Sequence, residues 1–134
     1  MRTRLILPGF RLPSYNSLQQ NALFMKSGRG RGMLMGQIKK IKAEVAALLK
    51  SEDNQKAWNR ERTVSWRIHI YFTYHKSGRA YDHDNALMSA NKFIVDTMVQ
   101  LGMLQDDDPA HVTPHLPEYV KCKRGEEQVI VDVD

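Results

Sequence analysis

Residues 63–74 (TVSWRIHIYFTY) constrain the fold most. β-Branched and aromatic residues fill the stretch, and Trp66, Ile68, Ile70 and Phe72 alternate along it, the period-two pattern of a strand with one face in the core. The next features follow from where that strand ends. Asp82-His83-Asp84-Asn85 comes first, then Ala86, Leu87, Ala90, Phe93, Ile94, Met98 and Leu101 at helical spacing, then Gly102 in a stop position. Upstream, residues 4–7 (RLIL) read as a short strand ended by Pro8-Gly9. Pro13, Ser14, Asn16 and the run from Ser27 to Gly32 predict a long, partly irregular connection. Gly28, Gly30 and Gly32 do not follow a strand as a phosphate cradle would, and read as a flexible basic loop. Leu34, Ile38, Ile41, Val45 and Leu48 then mark an amphipathic helix through residue 50, with Lys39, Lys40 and Lys42 largely off the apolar stripe and Ser51 to Asn54 ending it. Residues 118–122 and 128–133 predict a terminal hairpin. The expectation is a single α+β domain over residues 1–134, a small mixed sheet with two main helices.

Charge narrows the function. Residues 1–80 hold sixteen Lys and Arg against four acids, and residues 81–134 hold four against eleven, giving +12 and −7. A basic excess of that size suits a polyanion, because phosphate neutralisation with counterion release supplies most non-specific nucleic-acid affinity; it also suits a merely solubilising surface. The acids that follow favour the first reading, since carboxylates beside a phosphate-binding surface weaken it unless a cation lies between. Arg29, Arg31, Lys39, Lys40, Lys76 and Arg79 are the candidate DNA contacts.

If strand geometry continues to Asp84, alternation sends Asp82 and Asp84 to one side and His83 to the other, so the two carboxylates can share a cation. Asp106, Asp107 and Asp108 lie on the loop after the second helix. Oxygen ligands of this kind suit Mg²⁺ or Mn²⁺, which keep waters and phosphate oxygens as further ligands, and such a metal serves phosphodiester hydrolysis. The competing reading makes Asp82 and Asp84 caps of the following helix and the triplet a solvated loop. His69 reads as structural, and His75, His111 and His115 lack a ligand spacing. Trp58, Trp66, Tyr71, Phe72 and Phe93 read as core, although one exposed aromatic near the site could stack on a splayed base.

Other classes are excluded or disfavoured. The lone Cys122 allows no internal disulfide and argues against structural zinc. No stretch approaches the roughly 18 apolar residues of a membrane span, and the first residues (MRTRLILPGFRLP) carry too short an apolar run for a secretory signal. A cytoplasmic protein without a membrane partner is expected.

The order of these features resembles the RusA family of Holliday junction resolvases, phage-associated and bacterial endodeoxyribonucleases. That family runs from an N-terminal strand through P-S-x-N, an Arg-rich segment, a helix, a strand, D-x-D-N, a helix with an inward Lys and a later Asp, and a Gly, to an acidic pair. Here stand Pro13-Ser14-Tyr15-Asn16, Arg29 and Arg31, Asp82-His83-Asp84-Asn85, Lys92 with Asp96, Gly102, and Asp106-Asp107, spanning nearly the whole chain. The resemblance implies a RusA-like fold, with Asp82, Asp84 and Asp107 as metal-binding catalytic carboxylates, Lys92 as catalytic lysine, and a homodimer cutting a four-way DNA junction symmetrically with Mg²⁺ in recombination and repair. The family usually places its lysine four residues after the second aspartate, where this chain has Met88; the interval to Lys92 is eight, as if the helix carried an extra turn. The alternatives are a non-catalytic DNA-binding module derived from such a nuclease and an RNA-directed nuclease or RNA-binding protein.

Overall fold

The structure is a computed structural model that describes residues 3–23, 29–58, 68–107 and 111–134, with the side chains of residues 20–23 and 29–31 excepted. Its elements are β1 (Thr3–Pro8), α1 (Tyr15–Leu23), α2 (Arg29–Leu49), α3 (Glu52–Ala57), β2 (Ile68–Lys76), α4 (His83–Ala90), a π turn (Asn91–Val95), α5 (Asp96–Gln100), β3 (Val112–Pro114), β4 (Glu118–Lys121) and β5 (Gln128–Val133). The chain is therefore mixed α and β around one five-stranded sheet, as expected. None of its described helices is long and apolar enough to cross a membrane.

Strand β5 is the centre of the sheet, antiparallel to β1 on one edge and to β2 on the other. β3 pairs in parallel with the first part of β2 and β4 with its last part, along the same edge. The residues 118–122 and 128–133 thus form no terminal hairpin: β4 and β5 lie on opposite edges of β2. The reason is burial. Val129, Val131 and Val133 are all in the core, as is Asp132, so β5 needs partners on both edges. Arg4, directly opposite in register, meets the Asp132 carboxylate with both Nε (2.9 Å) and Nη2 (3.2 Å).

β2 buries Ile68, Ile70, Phe72 and Tyr74, the alternation expected for it; residues 63–67, including Trp66, lie outside the described residues. On the other face His69 Nδ1 and His115 Nε2 are 2.9 Å apart, and the His115 ring stacks on Tyr71 at 4.2 Å. His69 is structural, as expected.

Two helical segments differ from expectation. The connection after β1 holds α1, capped by Ser14, whose Oγ accepts from the Ser17 N–H at 3.2 Å. α2 begins at Arg29, so Gly30 and Gly32 are helical rather than part of a basic loop. Their cost of about 1 kcal/mol each is offset by the helix-forming Arg, Met and Leu around them and by packing against α1. α2 buries Ile38, Val45 and Leu49 and exposes Lys39 and Lys40, the basic outer side that the spacing predicts. Ser51 ends α2 and caps α3, where Asn54 is buried: its Oδ1 accepts from the Ile6 N–H (2.9 Å) and its Nδ2 donates to the Ile6 carbonyl (2.8 Å). A side-chain amide thereby closes the free edge of β1 as a neighbouring strand would. Gly102 has φ 74 and ends α5 as expected, the Met103 N–H returning to the Met98 carbonyl at 2.9 Å.

Candidate functional site

Strand geometry does not continue to Asp84. β2 stops at Lys76, residues 77–81 form a loop, and Asp82 is the N-cap of α4, its Oδ1 accepting from the Asn85 N–H at 2.8 Å. Alternation along a strand therefore does not place the two acids. A capping oxygen at Asp82 satisfies an otherwise orphaned helical N–H, and both Asp82 and Asp84 sit at the positive end of the helix dipole. Both are exposed.

This end of α4 is tied to the segment after β1. Asn85 is buried; its Nδ2 donates to Ser14 Oγ (2.9 Å) and its Oδ1 accepts from the Asn16 N–H (3.2 Å). Ser89 Oγ accepts from the Tyr15 N–H (3.0 Å), and the Tyr15 ring meets Phe93 edge-on at 6.1 Å. Pro13-Ser14-Tyr15-Asn16 and Asp82-His83-Asp84-Asn85, far apart in sequence, are one hydrogen-bonded unit. From the sheet side Tyr74 Oη donates to the Ala86 carbonyl at 3.0 Å, and burial first, with Tyr119 adding to it, holds this phenol protonated well above its ordinary range. The exposed carboxylates thus stand on a rigid support.

Lys92 and Asp107 belong to a different cluster, centred on Asp96. Lys42 Nζ lies 3.5 Å and Lys92 Nζ 4.0 Å from Asp96 Oδ2. The Asp107 carboxyl is pushed above the usual carboxylate range by desolvation and then by side-chain hydrogen bonds to Asp106 and Asp96. Asp96 follows Asp84 by twelve residues, about 18 Å along a helix. Lys92 falls within the π turn, which widens the helix between the two clusters.

Among the described residues, no group of three His, Cys, Asp or Glu side chains is placed to hold a metal ion; Asp108 lies outside them. Asp82 and Asp84 still fit Mg²⁺, which is commonly held by one or two carboxylates with waters and substrate phosphates completing its shell. Asp107 stands with Asp96 instead.

The basic side of the site is the loop before Asp82. Lys76 Nζ lies 4.5 Å from the centre of the Tyr81 ring, and Arg79 is exposed. Of the other candidate DNA contacts, Lys39 and Lys40 are exposed on α2, and Arg29 and Arg31 lie at its start with side chains outside those described. His83 faces Tyr119, ring centres 6.3 Å apart. Burial, then the Glu127 and Glu126 charges, raise the Cys122 thiol and keep it from thiolate chemistry.

Glu127 was not legible as a site residue in a charged turn. It is buried, accepting from Ser77 Oγ (2.6 Å) and the Gly125 N–H (2.9 Å) and pairing with Arg11 (3.4 Å). The Ser77 hydrogen bond first, and backbone donors and Arg11 with it, hold its carboxyl below the usual range. A depressed carboxyl contributes stability that is present above the unfolded-state pKa, about 4.3, and lost as pH falls through the folded value. Glu127→Gln is therefore expected to lower Tm near pH 7, with the gap from wild type closing as melts are run at progressively lower pH below about 4.3. A gap that does not depend on pH would mean the carboxylate charge is not what anchors the loop.

Compared with known proteins, the chain matches no family model and no curated protein.

Proposed function

We propose that the chain is a Mg²⁺-dependent, structure-selective endodeoxyribonuclease of RusA type that acts on four-way DNA junctions. The observation that carries the reading is the bonding of Ser14 and Asn16 to Asn85, which fixes the end of α4 with exposed Asp82 and Asp84, directly after the segment that carries Lys76 and Arg79. Two exposed carboxylates that follow half-buried Lys76 and exposed Arg79 along the chain favour a divalent ion and a phosphate together. A cation held by Asp82 and Asp84 supplies Lewis-acid stabilisation of the phosphoryl oxygens and a more acidic water. Lys76 and Arg79 hold the neighbouring phosphates, and Asn85 with its capping N–H keeps Asp82 in place. Lys92, Lys42 and Asp107 act through the Asp96 cluster. A homodimer places two such sites on the two equivalent strands of a junction.

A second reading has a specific observation in its favour. Asp82 is a satisfied cap, and burial together with Asp106 and Asp96 raises the Asp107 carboxyl above its usual range, an arrangement that a non-catalytic DNA-binding module would also show. One assay separates the readings: a four-way DNA junction, a linear duplex of the same sequence and a matched RNA duplex, each with Mg²⁺ and with EDTA. The expected result is cleavage of the DNA junction in Mg²⁺ alone, with light scattering giving a dimer and junction affinity falling steeply with salt. Tight junction binding without cleavage at any Mg²⁺ concentration gives the second reading, and preference for the RNA duplex removes both.

A further inference from the structure

We propose that the cleft between the segment after β1 and the 77–81 loop receives one unpaired base of the bound nucleic-acid strand, with the flanking phosphates on Arg11 and Lys76; this deepens the nucleic-acid reading and rests on it. The cleft has a volume of about 300 Å³, the low end of small-ligand sites and suited to a single base. Buried Phe10, Leu12, Tyr74 and Val129 give it an apolar lining, and half-buried Tyr81 adds an aromatic ring beneath the Lys76 ammonium. Ser77 and Gln128 bring hydrogen-bonding groups to the same space. Extruded bases are held by this combination of aromatic or apolar contact and a few polar groups.

The one acid in the lining does not repel a phosphate. Glu127 is held by Ser77, the Gly125 N–H and Arg11, while the Arg11 side chain keeps 64% of its surface exposed. On the far side of Lys76 a second depression of about 480 Å³ is lined by Arg79, Lys121 and Tyr119. Cations therefore lie in and beyond the cleft, a track along which a sugar-phosphate chain can run while one base turns inward. A paired base keeps its faces stacked in the duplex and cannot enter.

The test uses the full chain and two fluorescent duplexes, one with a single bulged thymidine and one with an abasic bulge at the same place, compared by anisotropy titration in EDTA. Wild type is expected to bind the thymidine bulge at least about fivefold more tightly, the lower end of base–aromatic stacking. Tyr81→Ala should bind the two duplexes alike. Because Tyr81→Ala could disturb the loop, thymidine 5′-monophosphate is also added to wild type and followed by NMR, with amide shifts expected at Arg11, Lys76, Ser77 and Gln128. Equal wild-type affinity for the two duplexes, or shifts elsewhere, overturns the base cleft and leaves DNA binding standing. No affinity for either duplex or for the junction overturns the nucleic-acid reading itself.

Discussion

Asp82→Asn and Asp84→Asn are each expected to lower single-turnover junction cleavage by about 1,000-fold or more while junction binding persists. The size follows from the chemistry: a metal that polarises a phosphoryl oxygen is worth several kcal/mol of transition-state charge stabilisation, and each 1.36 kcal/mol is about tenfold in rate. Deleting a ligand charge forfeits most of that. Binding should hold or tighten, because a negative charge next to phosphate has gone. Asn at position 82 can still cap α4 through its side-chain oxygen, so the fold is kept and the loss is chemical. The same assay grades the Asp96 cluster. Lys92 pairs with Asp96 at 4.0 Å, so Lys92→Ala and Asp107→Asn should alter the rate much less than the two cap-end variants. A loss with Asp107→Asn equal to that of Asp84→Asn would place Asp107 among the metal ligands and require the 106–107 loop to move.

Asn54→Ala is expected to destabilise the fold by about 3 kcal/mol, read as a lower denaturant midpoint with the slope unchanged. Three side-chain hydrogen bonds disappear, to the Ile6 N–H, the Ile6 carbonyl and the Leu48 carbonyl. Each contributes roughly 1 kcal/mol, and the backbone groups left behind lie near the core. The variant also frees the outer side of β1, an edge strand whose exposed Ile6 invites association. Concentration-dependent aggregation should accompany the loss. A midpoint within experimental error of wild type would show that water replaces the amide at no cost.

What was readable in the sequence follows from how locally each signal is encoded. β1, β2, the buried stripe of α2 and the Gly102 stop rest on side-chain periodicity or on one left-handed residue, and all are present. α1 was hidden because Pro13 and Ser14 serve equally to break a chain and to start a helix; only the Ser17 N–H on Ser14 Oγ decides it. Sequence proximity favours a hairpin of β4 and β5, whereas β5 buries side chains on both faces and takes β1 and β2 as its two neighbours. At the site, the two motifs were readable as motifs, but the bond between them depends on Asn85 reaching residues some seventy positions earlier. The approach of Asp107 to Asp96 was not readable either, since sequence order does not say which part of an 18-residue helical stretch the returning loop will touch.

Whether metal and phosphate meet at the cap of α4 or at Asp96 is decided by iron-directed backbone cleavage. Fe²⁺ replaces Mg²⁺ in the presence of junction DNA, ascorbate and peroxide generate hydroxyl radicals at the bound ion, and mass spectrometry maps the broken peptide bonds. A metal at the α4 cap gives cuts within residues 79–86 and in the Ser14–Asn16 segment bonded to Asn85, all suppressed by excess Mg²⁺. Cuts confined to residues 92–107 would contradict it and move the site to the Asp96 cluster.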